Sequence, residues 1–254
     1  MEIGEAECSF GIMHHASRIV YQFDYWKTEP GNEDELLKKI FEENEILNSS
    51  FYRTALSYYM PGCILIPNKF YEPEQAKAWL EKIFGENSGI VISEALAEWQ
   101  LYSAYKVPAK THETISRQYT TGNFWHQYSV VLKNELATTD SICLVVDFKS
   151  DSFSAVLIRN HSLMMAQIFS YLKAEDVLYY LLKICNQFSI SQTEVHVILY
   201  GLIDKNSSVF KELHQYFLLI DFALPQNHIQ LSEAFKDYPP HFFTSLSRLA
   251  ACVS

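Results

Sequence analysis

The segment SICLVVDFKSDSFSAVLIRNHSLMMAQIFSY, residues 141–171, decides the fold of this chain. Residues 142–146 are apolar at every position, which is typical of a strand that is covered on both faces. Lys149–Ser152 is polar and turn-like, and residues 154–158 resume the apolar pattern. Asn160–His161 marks a second turn because Asn tolerates a positive φ, and residues 163–169 close the meander. The segment therefore predicts three consecutive strands, with residues 142–146 central in their sheet.

The residues after this segment alternate between helical and extended patterns. A helix is predicted to start near Glu175 and Asp176, where the helix dipole favours acidic side chains. The further elements are a strand at 194–200, a helix at 207–217, a strand at 218–222 and a helix at about 242–253. Residues 141–254 thus have the order β-β-β-α-β-α-β-α, which predicts a mixed sheet with helices outside it.

The first half of the chain predicts a mixture of hairpins and helices. Residues 8–25 predict a β-hairpin that turns near His14–Ser17. Asn32, with Glu35 three residues later, has the spacing of a capping box and predicts the start of a helix. The apolar face of that helix comprises Leu36, Leu37, Ile40, Phe41 and Leu47. The other predictions are paired strands at 51–59 and 63–66 around Pro61–Gly62, a helix after Pro73, paired strands at 89–95 and 99–107, and helices at 111–119 and 129–137.

Composition limits the classes of protein to which the chain can belong. With 254 residues, of which 48% are hydrophobic and 15% aromatic, the chain can bury a sizeable core. No apolar run approaches the ~20 residues that cross a bilayer. The first residues are acidic and lack the basic start and apolar core of a signal peptide. We therefore expect a cytoplasmic protein without a membrane partner.

The chain is acidic, with a formal net charge of −10. Residues 1–48 hold eleven acids against four bases. Phosphate binding needs a clustered basic surface, so a nucleic-acid partner is not expected. The acidic excess leaves two interpretations open: a solvated surface, or a docking face for a basic partner.

Metal and disulfide sites are not predicted. The five cysteines are widely spread and never form a Cys-x-x-Cys pair. Adjacent histidines on a hairpin, such as His14 and His15, point to opposite faces of the sheet and do not converge on one metal. No G-x-S-x-G elbow is present, and we interpret His112, His126 and His196 as structural histidines.

A family resemblance rests on three segments of the chain. They are residues 34–45 (DELLKKIFEENE), residues 125–132 (WHQYSVVL) and the meander with its Asp147–Phe148 pair. With the β-β-β-α-β-α-β-α order, they resemble an uncharacterised bacterial family, a domain of unknown function, with the ribonuclease H-like, actin-like ATPase fold. The resemblance implies a mixed α/β fold of two such units, which we place at residues 1–138 and 139–254, with a boundary at Thr138–Asp140.

The resemblance also indicates where a nucleotide site would lie. In the superfamily an Asp opens each of two hairpin turns, with Gly behind it, and nucleotide binds between the two units. Asp147 ends the first strand as required, but Lys149 stands where Gly is preferred, so its side chain would crowd a phosphate or supply a charge to an anion. Asp151 lies in the same turn, and the expected Gly pair is reduced to Gly201. These four residues are candidates for a vestigial cofactor-binding site.

The corresponding turn of the first half, residues 13–17, has neither Asp nor Gly at its tip, and no P-loop or G-x-G-x-x-G motif is present. The bulky side chains at both turns favour a narrow or plugged cleft. We therefore expect a non-enzymatic protein-binding or scaffold module with an unknown protein partner or a homodimer, and no cofactor, metal or catalytic residue. The alternative is an ATP-binding phosphotransferase or ATPase with an atypical inter-domain site.

Overall fold

The computed structural model describes residues 1–85, 89–135, 142–226 and 228–253. The chain divides into two compact units. The first unit comprises Met1–Asn134 with Leu249–Ser254, and the second comprises Glu135–Arg248. The boundary predicted at Thr138–Asp140 lies outside the described residues.

The first unit contains eight strands and four α-helices among its described residues. The strands are β1 (Glu2–Gly4), β2 (Glu7–His14), β3 (Ile19–Lys27), β4 (Ala55–Tyr59), β5 (Cys63–Pro67), β6 (Gly89–Leu96), β7 (Leu101–Pro108) and β8 (Asn123–His126). The helices are α1 (Glu33–Glu43), α2 (Pro73–Phe84), α3 (Ala109–Gln118) and α4 (Gln127–Asn134).

The main sheet of this unit has the strand order β3-β2-β1-β4-β8. The β1 strand is antiparallel to β2, with Ile3 opposite Cys8, and parallel to β4, with Ile3 opposite Tyr58. The β4–β8 pair is also parallel. The buried apolar side chains of this sheet and of α1 include Ile3, Phe10, Leu37, Ile40 and Leu56.

Residues between β4 and α3 form an insert with its own sheet, which has the antiparallel order β5-β7-β6. Helix α2, which begins at Pro73, packs on one face of this sheet. Its Ala76 and Leu80 meet Ile66 and Ala104 in a small core. The insert therefore has a core that is separate from the main sheet.

One local prediction for the first unit was wrong. The strands on either side of Pro61–Gly62 are not a hairpin, because β4 joins the main sheet and β5 joins the insert. Strand pairing depends on contacts distant in sequence, so a turn signal alone did not decide it. The helix start predicted at Asn32 is confirmed, since α1 begins at Glu33, but the Asn32 side chain makes no capping hydrogen bond.

The second unit contains six strands and three α-helices among its described residues. The strands are β9 (Ile142–Phe148), β10 (Ser152–Arg159), β11 (Ser162–Ser170), β12 (His196–Gly201), β13 (Leu219–Phe222) and β14 (Gln230–Leu231). The helices are α5 (Ala174–Gln187), α6 (Ser208–Tyr216) and α7 (Thr244–Ala251).

The sheet of the second unit has the order β11-β10-β9-β12-β13. The predicted central position of residues 142–146 is confirmed, since β9 is antiparallel to β10 and parallel to β12. Asn160 and His161 have φ values of 49° and 59° in the predicted turn. The order of strand directions repeats that of the main sheet of the first unit. The predicted mixed α/β fold of two ribonuclease H-like units is therefore confirmed.

Helices α5 and α6 of the second unit begin at polar caps. Asp176 accepts hydrogen bonds from the backbone N–H groups of Leu172 and Lys173, and Ser207 accepts one from Phe210. The buried core includes Leu144, Val146, Val177, Leu181, Val197 and Leu213. None of the described helices, in either unit, combines the length and the apolar character that a bilayer crossing requires.

Candidate functional site

The carboxyl ends of β9 and β12 bring together three of the four predicted site residues. The two strands are parallel, with Asp147 opposite Tyr200 and Phe148 opposite Gly201. Lys149 follows β9 directly. In open α/β sheets, ligands bind beyond the carboxyl ends of such strands. The predicted site therefore lies at this edge of the second unit.

Asp147 and Lys149 form a buried ion pair. Nζ of Lys149 lies 3.0 Å from Oδ2 of Asp147, and the side chains are 6% and 1% exposed, respectively. The hydroxyl of Ser245, on α7, donates to the carboxylate at 3.0 Å from Oδ1 and 3.1 Å from Oδ2. Nζ of Lys149 also lies 3.4 Å from that hydroxyl oxygen. The charge of Asp147 is thus balanced by neighbours on its own chain.

The backbone of the turn after β9 is also engaged within the protein. The N–H of Lys149 donates to the carbonyl of Ser152 at 2.8 Å, and the carbonyl of Lys149 accepts from the Tyr171 hydroxyl at 3.2 Å. Asp151 is exposed, and its carbonyl accepts from the N–H of Tyr171 at 2.9 Å. The structure does not bring the Asp151 side chain into the Asp147–Lys149 pair.

Gly201 is tightly enclosed. Its φ is +80°, a backbone conformation that residues other than glycine rarely adopt. A Cβ atom at this position would clash with the carbonyl oxygen of Phe148 and lie 2.5 Å from Oδ1 of Asp147. The glycine is therefore required for the close approach of β12 to Asp147.

A second buried ion pair lies beside the first. Nη2 of Arg248 lies 2.5 Å from Oε1 of Glu135, with the side chains 10% and 6% exposed. The Arg248 guanidinium carbon lies 4.6 Å from the ring centroid of Tyr200. Burial raises the pKa of the Tyr200 hydroxyl, an effect that the Arg248 charge opposes. Burial would lower the pKa of Arg248, but Tyr200 and Glu135 outweigh it and raise that pKa. Two acids and two bases thus occupy this edge of the unit.

Sequence reasoning missed Tyr200, Ser245, Arg248 and Glu135 as members of this site. Ser245 and Arg248 are three residues apart on α7, so they share a helix face. That spacing was the one feature of the sequence that could have linked these two residues. The bond from Ser245 to Asp147 joins positions 98 residues apart in the chain, which no local pattern reveals.

The turn between β2 and β3 in the first unit has a different chemistry. Nδ1 of His14 lies 3.0 Å from the hydroxyl oxygen of Ser17, while the His15 ring contacts that of Tyr52 at a centroid distance of 4.4 Å. The two imidazoles thus contact different neighbours. Across the described parts of the chain, no group of three or more His, Cys, Asp or Glu side chains is arranged to hold a metal ion.

The first unit also contains a half-buried acid next to a buried histidine. The carboxylate of Glu94, on β6, accepts the backbone N–H of His126 at 2.6 Å, where β8 ends and α4 begins. Burial raises the pKa of Glu94 to about 7, although the His126 N–H, the Ser129 hydroxyl and the Lys133 charge oppose this. This hydrogen bond connects β6 of the insert to β8 of the main sheet.

The His126 ring is fully enclosed. Its Nε2 donates to the carbonyl of Met60 at 2.8 Å, and its Nδ1 accepts the N–H of Tyr128 at 3.2 Å. Burial lowers the pKa of His126 to about 4, opposed by the Met60 hydrogen bond. The other two histidines singled out in the sequence also have polar neighbours: His112 contacts the Tyr58 hydroxyl at 2.8 Å and His196 contacts Asp221 at 2.7 Å.

The topology of the two units places the chain in the class of proteins with an actin-like ATPase fold. The chain belongs to the family of proteins of unknown function DUF3822, whose model matches residues 1–220. Among curated protein sequences, none matches the chain significantly.

Solved structures extend the fold assignment. A Bacteroides thetaiotaomicron VPI-5482 protein with actin-like ATPase fold and unknown function is 18% identical, with a TM-score of 0.76 over 98% of this chain and 94% of that one. A chain of the PilM-PilN type IV pilus biogenesis complex is 12% identical, with a TM-score of 0.62 over 100% of this chain and 97% of that one. At these identities the similarity establishes the fold alone.

Proposed function

We propose that this protein is a non-enzymatic protein-binding module whose actin-like fold does not hydrolyse ATP. The observation that carries the proposal is the buried pair of Asp147 and Lys149, 3.0 Å apart. An ammonium this close to the carboxylate repels a divalent cation, and Ser245 already donates to both carboxylate oxygens. Binding of Mg-ATP at Asp147 would require the loss of contacts that the buried charges need.

The backbone supports the same proposal. Phosphate-binding turns use backbone N–H groups that point at the ligand. Here the N–H of Lys149 donates to the carbonyl of Ser152 at 2.8 Å, so it does not point at a ligand. The Lys149 side chain also occupies space that a glycine at this position would leave open. A protein-binding function also agrees with the similarity to a chain of the PilM-PilN complex, which is itself an assembly of two proteins.

Calorimetric titration with Mg-ATP tests the proposal. We expect no binding heat at millimolar Mg-ATP and no phosphate release above the rate of the buffer. Lys149→Gly is the informative variant, because it removes the ammonium and supplies the glycine that the turn lacks. Micromolar binding to the wild-type protein that is lost in Asp147→Ala would overturn the proposal and favour an ATP-dependent phosphotransferase or ATPase.

A further inference from the structure

The insert of the first unit carries an apolar groove of about 620 Å³ between strand β5 and helix α2. Its lining includes Ile64, Ile66, Phe70, Trp79 and Ile83. Phe70 is 56% exposed and Ile83 is 61% exposed, although both are large apolar side chains. A groove of this size can hold several side chains of a binding partner.

Helix α2 has a wider apolar face than its own sheet covers. Ala76 and Leu80 are fully buried against the insert sheet. Trp79 and Ile83, which are four residues apart, form a neighbouring stripe that lines the groove. Trp79 also packs against the core of the insert, whereas Ile83 is exposed, so the apolar surface of the helix extends beyond the part that holds it to the insert.

Strand β5 borders this groove and is an edge strand of the insert sheet. The N–H of Lys106 donates to the carbonyl of Gly62, and the N–H of Asn68 donates to that of Gln100. These bonds, with the regular register of β5 and β7, direct the peptide groups of Ile64 and Ile66 toward β7. The N–H and carbonyl of Leu65 therefore point to the open side.

We propose that the groove binds an extended segment of a partner protein, which adds to β5 as a fourth, antiparallel strand. The inference rests on the proposed protein-binding function and names the chemistry of the partner. The residue opposite Leu65 exchanges two backbone hydrogen bonds with it, and its two neighbours direct their side chains into the groove opposite Ile64 and Ile66. The partner segment thus has two large apolar residues separated by one residue.

A second copy of this chain fits the edge poorly. If two copies of β5 paired antiparallel about Leu65, Cys63 would lie opposite Pro67. Proline has no N–H to donate. The N–H of Cys63 is already donated to the carbonyl of Pro61 at 2.9 Å. Such a pair would keep the Leu65 bonds alone, whereas a partner without proline also donates to the carbonyl of Cys63.

The charges at the rim indicate the polarity of the partner segment. Lys69 and Glu72 lie toward the Pro67 end of the groove, and the lining near Trp79 and Ile83 is uncharged. Glu72 accepts a hydrogen bond from Gln75, while Lys69 lies 4.7 Å from the centroid of the Phe70 ring and forms no ion pair within the described residues. Lys69 is therefore the cation at this end that an acidic residue on the amino-terminal side of the two apolar residues would pair with.

A fluorescein-labelled peptide Glu-Thr-Leu-Thr-Leu-Thr, titrated with the full chain and followed by anisotropy, tests this assignment. We expect saturable binding that weakens about tenfold when the threonine between the leucines is N-methylated, because the N–H that pairs with Leu65 is lost. Ile83→Glu should weaken binding to a similar extent. Leu172→Glu, at an apolar position that is 97% exposed in the second unit, is the matched control and should have no effect.

A charge exchange tests the polarity of the segment. Lys69→Glu should weaken binding of the glutamate peptide and strengthen binding of the same peptide with lysine at its first position. Lack of saturation at millimolar peptide, or equal binding of the N-methylated peptide, would overturn strand addition in this groove. Neither result bears on the Mg-ATP titration, so failure of the groove assignment is distinguishable from failure of the proposed function.

Discussion

Lys149 Nζ lies 3.0 Å from Asp147 Oδ2, and both side chains are almost fully buried. Lys149 lies two positions after Asp147, at the end of β9, and its ammonium makes the buried acid half of an internal ion pair. The electrostatics of this edge therefore depend on both residues together.

The pair is expected to matter for the stability of the second unit. Lys149→Met leaves the Asp147 carboxylate buried without its ammonium, and we expect a loss of about 3 kcal/mol in the free energy of local unfolding. Hydrogen exchange of peptides covering residues 142–201 measures this loss. The double variant Asp147→Asn with Lys149→Met removes both charges and should recover most of it. Equal losses in the single and double variants would contradict a stabilising role for the ion pair.

Five of the six described strands of the second unit were predictable because each is a local pattern, whereas the two-residue strand β14 was not predicted. Residues 142–146 are apolar throughout, and Asn160–His161 supplies the turn, so the meander and its central strand follow from neighbouring residues. The charge network was only partly predictable. The family resemblance indicated Asp147, Lys149 and Gly201, but Ser245 and Arg248 approach through the packing of α7.

In the first unit, strand pairing could not be predicted from the sequence. Residues 55–59 and 63–67 flank a turn signal, yet they belong to two sheets, because the partner of β4 is β1 and the partner of β5 is β7. Alternation identifies strands but does not choose between partners that lie far apart in the chain. The Glu94–His126 contact was hidden for the same reason, since it joins the insert to β8.

Gly201 provides a test of the close packing at the β9–β12 edge. Gly201→Ala combines an unfavourable φ with a clash against Phe148, so we expect a loss of more than about 2 kcal/mol in the second unit. Gly85→Ala is the matched control, because Gly85 has a φ of +81° but no atom of the described residues lies within 4 Å of the added Cβ. It should cost about 1 kcal/mol, the conformational part alone. Similar losses at both positions would mean that the contact with Phe148 is relieved by small movements.

Glu94 should make the first unit less stable as the pH rises. Its pKa is about 7 in the folded protein against 4.5 for the ordinary side chain, so the folded state binds more protons between these values. The free energy of unfolding should therefore fall by up to about 3 kcal/mol across that interval relative to Glu94→Gln. All four tryptophans, at positions 26, 79, 99 and 125, belong to the first unit, so their fluorescence reports its unfolding. Glu98→Gln, at an exposed glutamate, should give the wild-type curve, and a constant difference between wild type and Glu94→Gln would contradict the prediction.

His126 should have the opposite effect in acid. Its pKa falls from 6.5 to about 4 on folding, so its contribution to stability is present above pH 6.5 and is lost as the pH falls through 4. The ring must remain neutral because Nδ1 accepts the Tyr128 N–H while Nε2 donates to Met60, and a proton on Nδ1 would break the first bond. Nitrogen NMR of the imidazole should therefore record a neutral ring with the proton on Nε2 down to about pH 5. The His126→Asn variant lacks the His126 imidazole resonance and so identifies it in the wild-type spectrum. Protonation of the His126 ring near pH 6.5 would contradict the prediction and would mean that water reaches the ring.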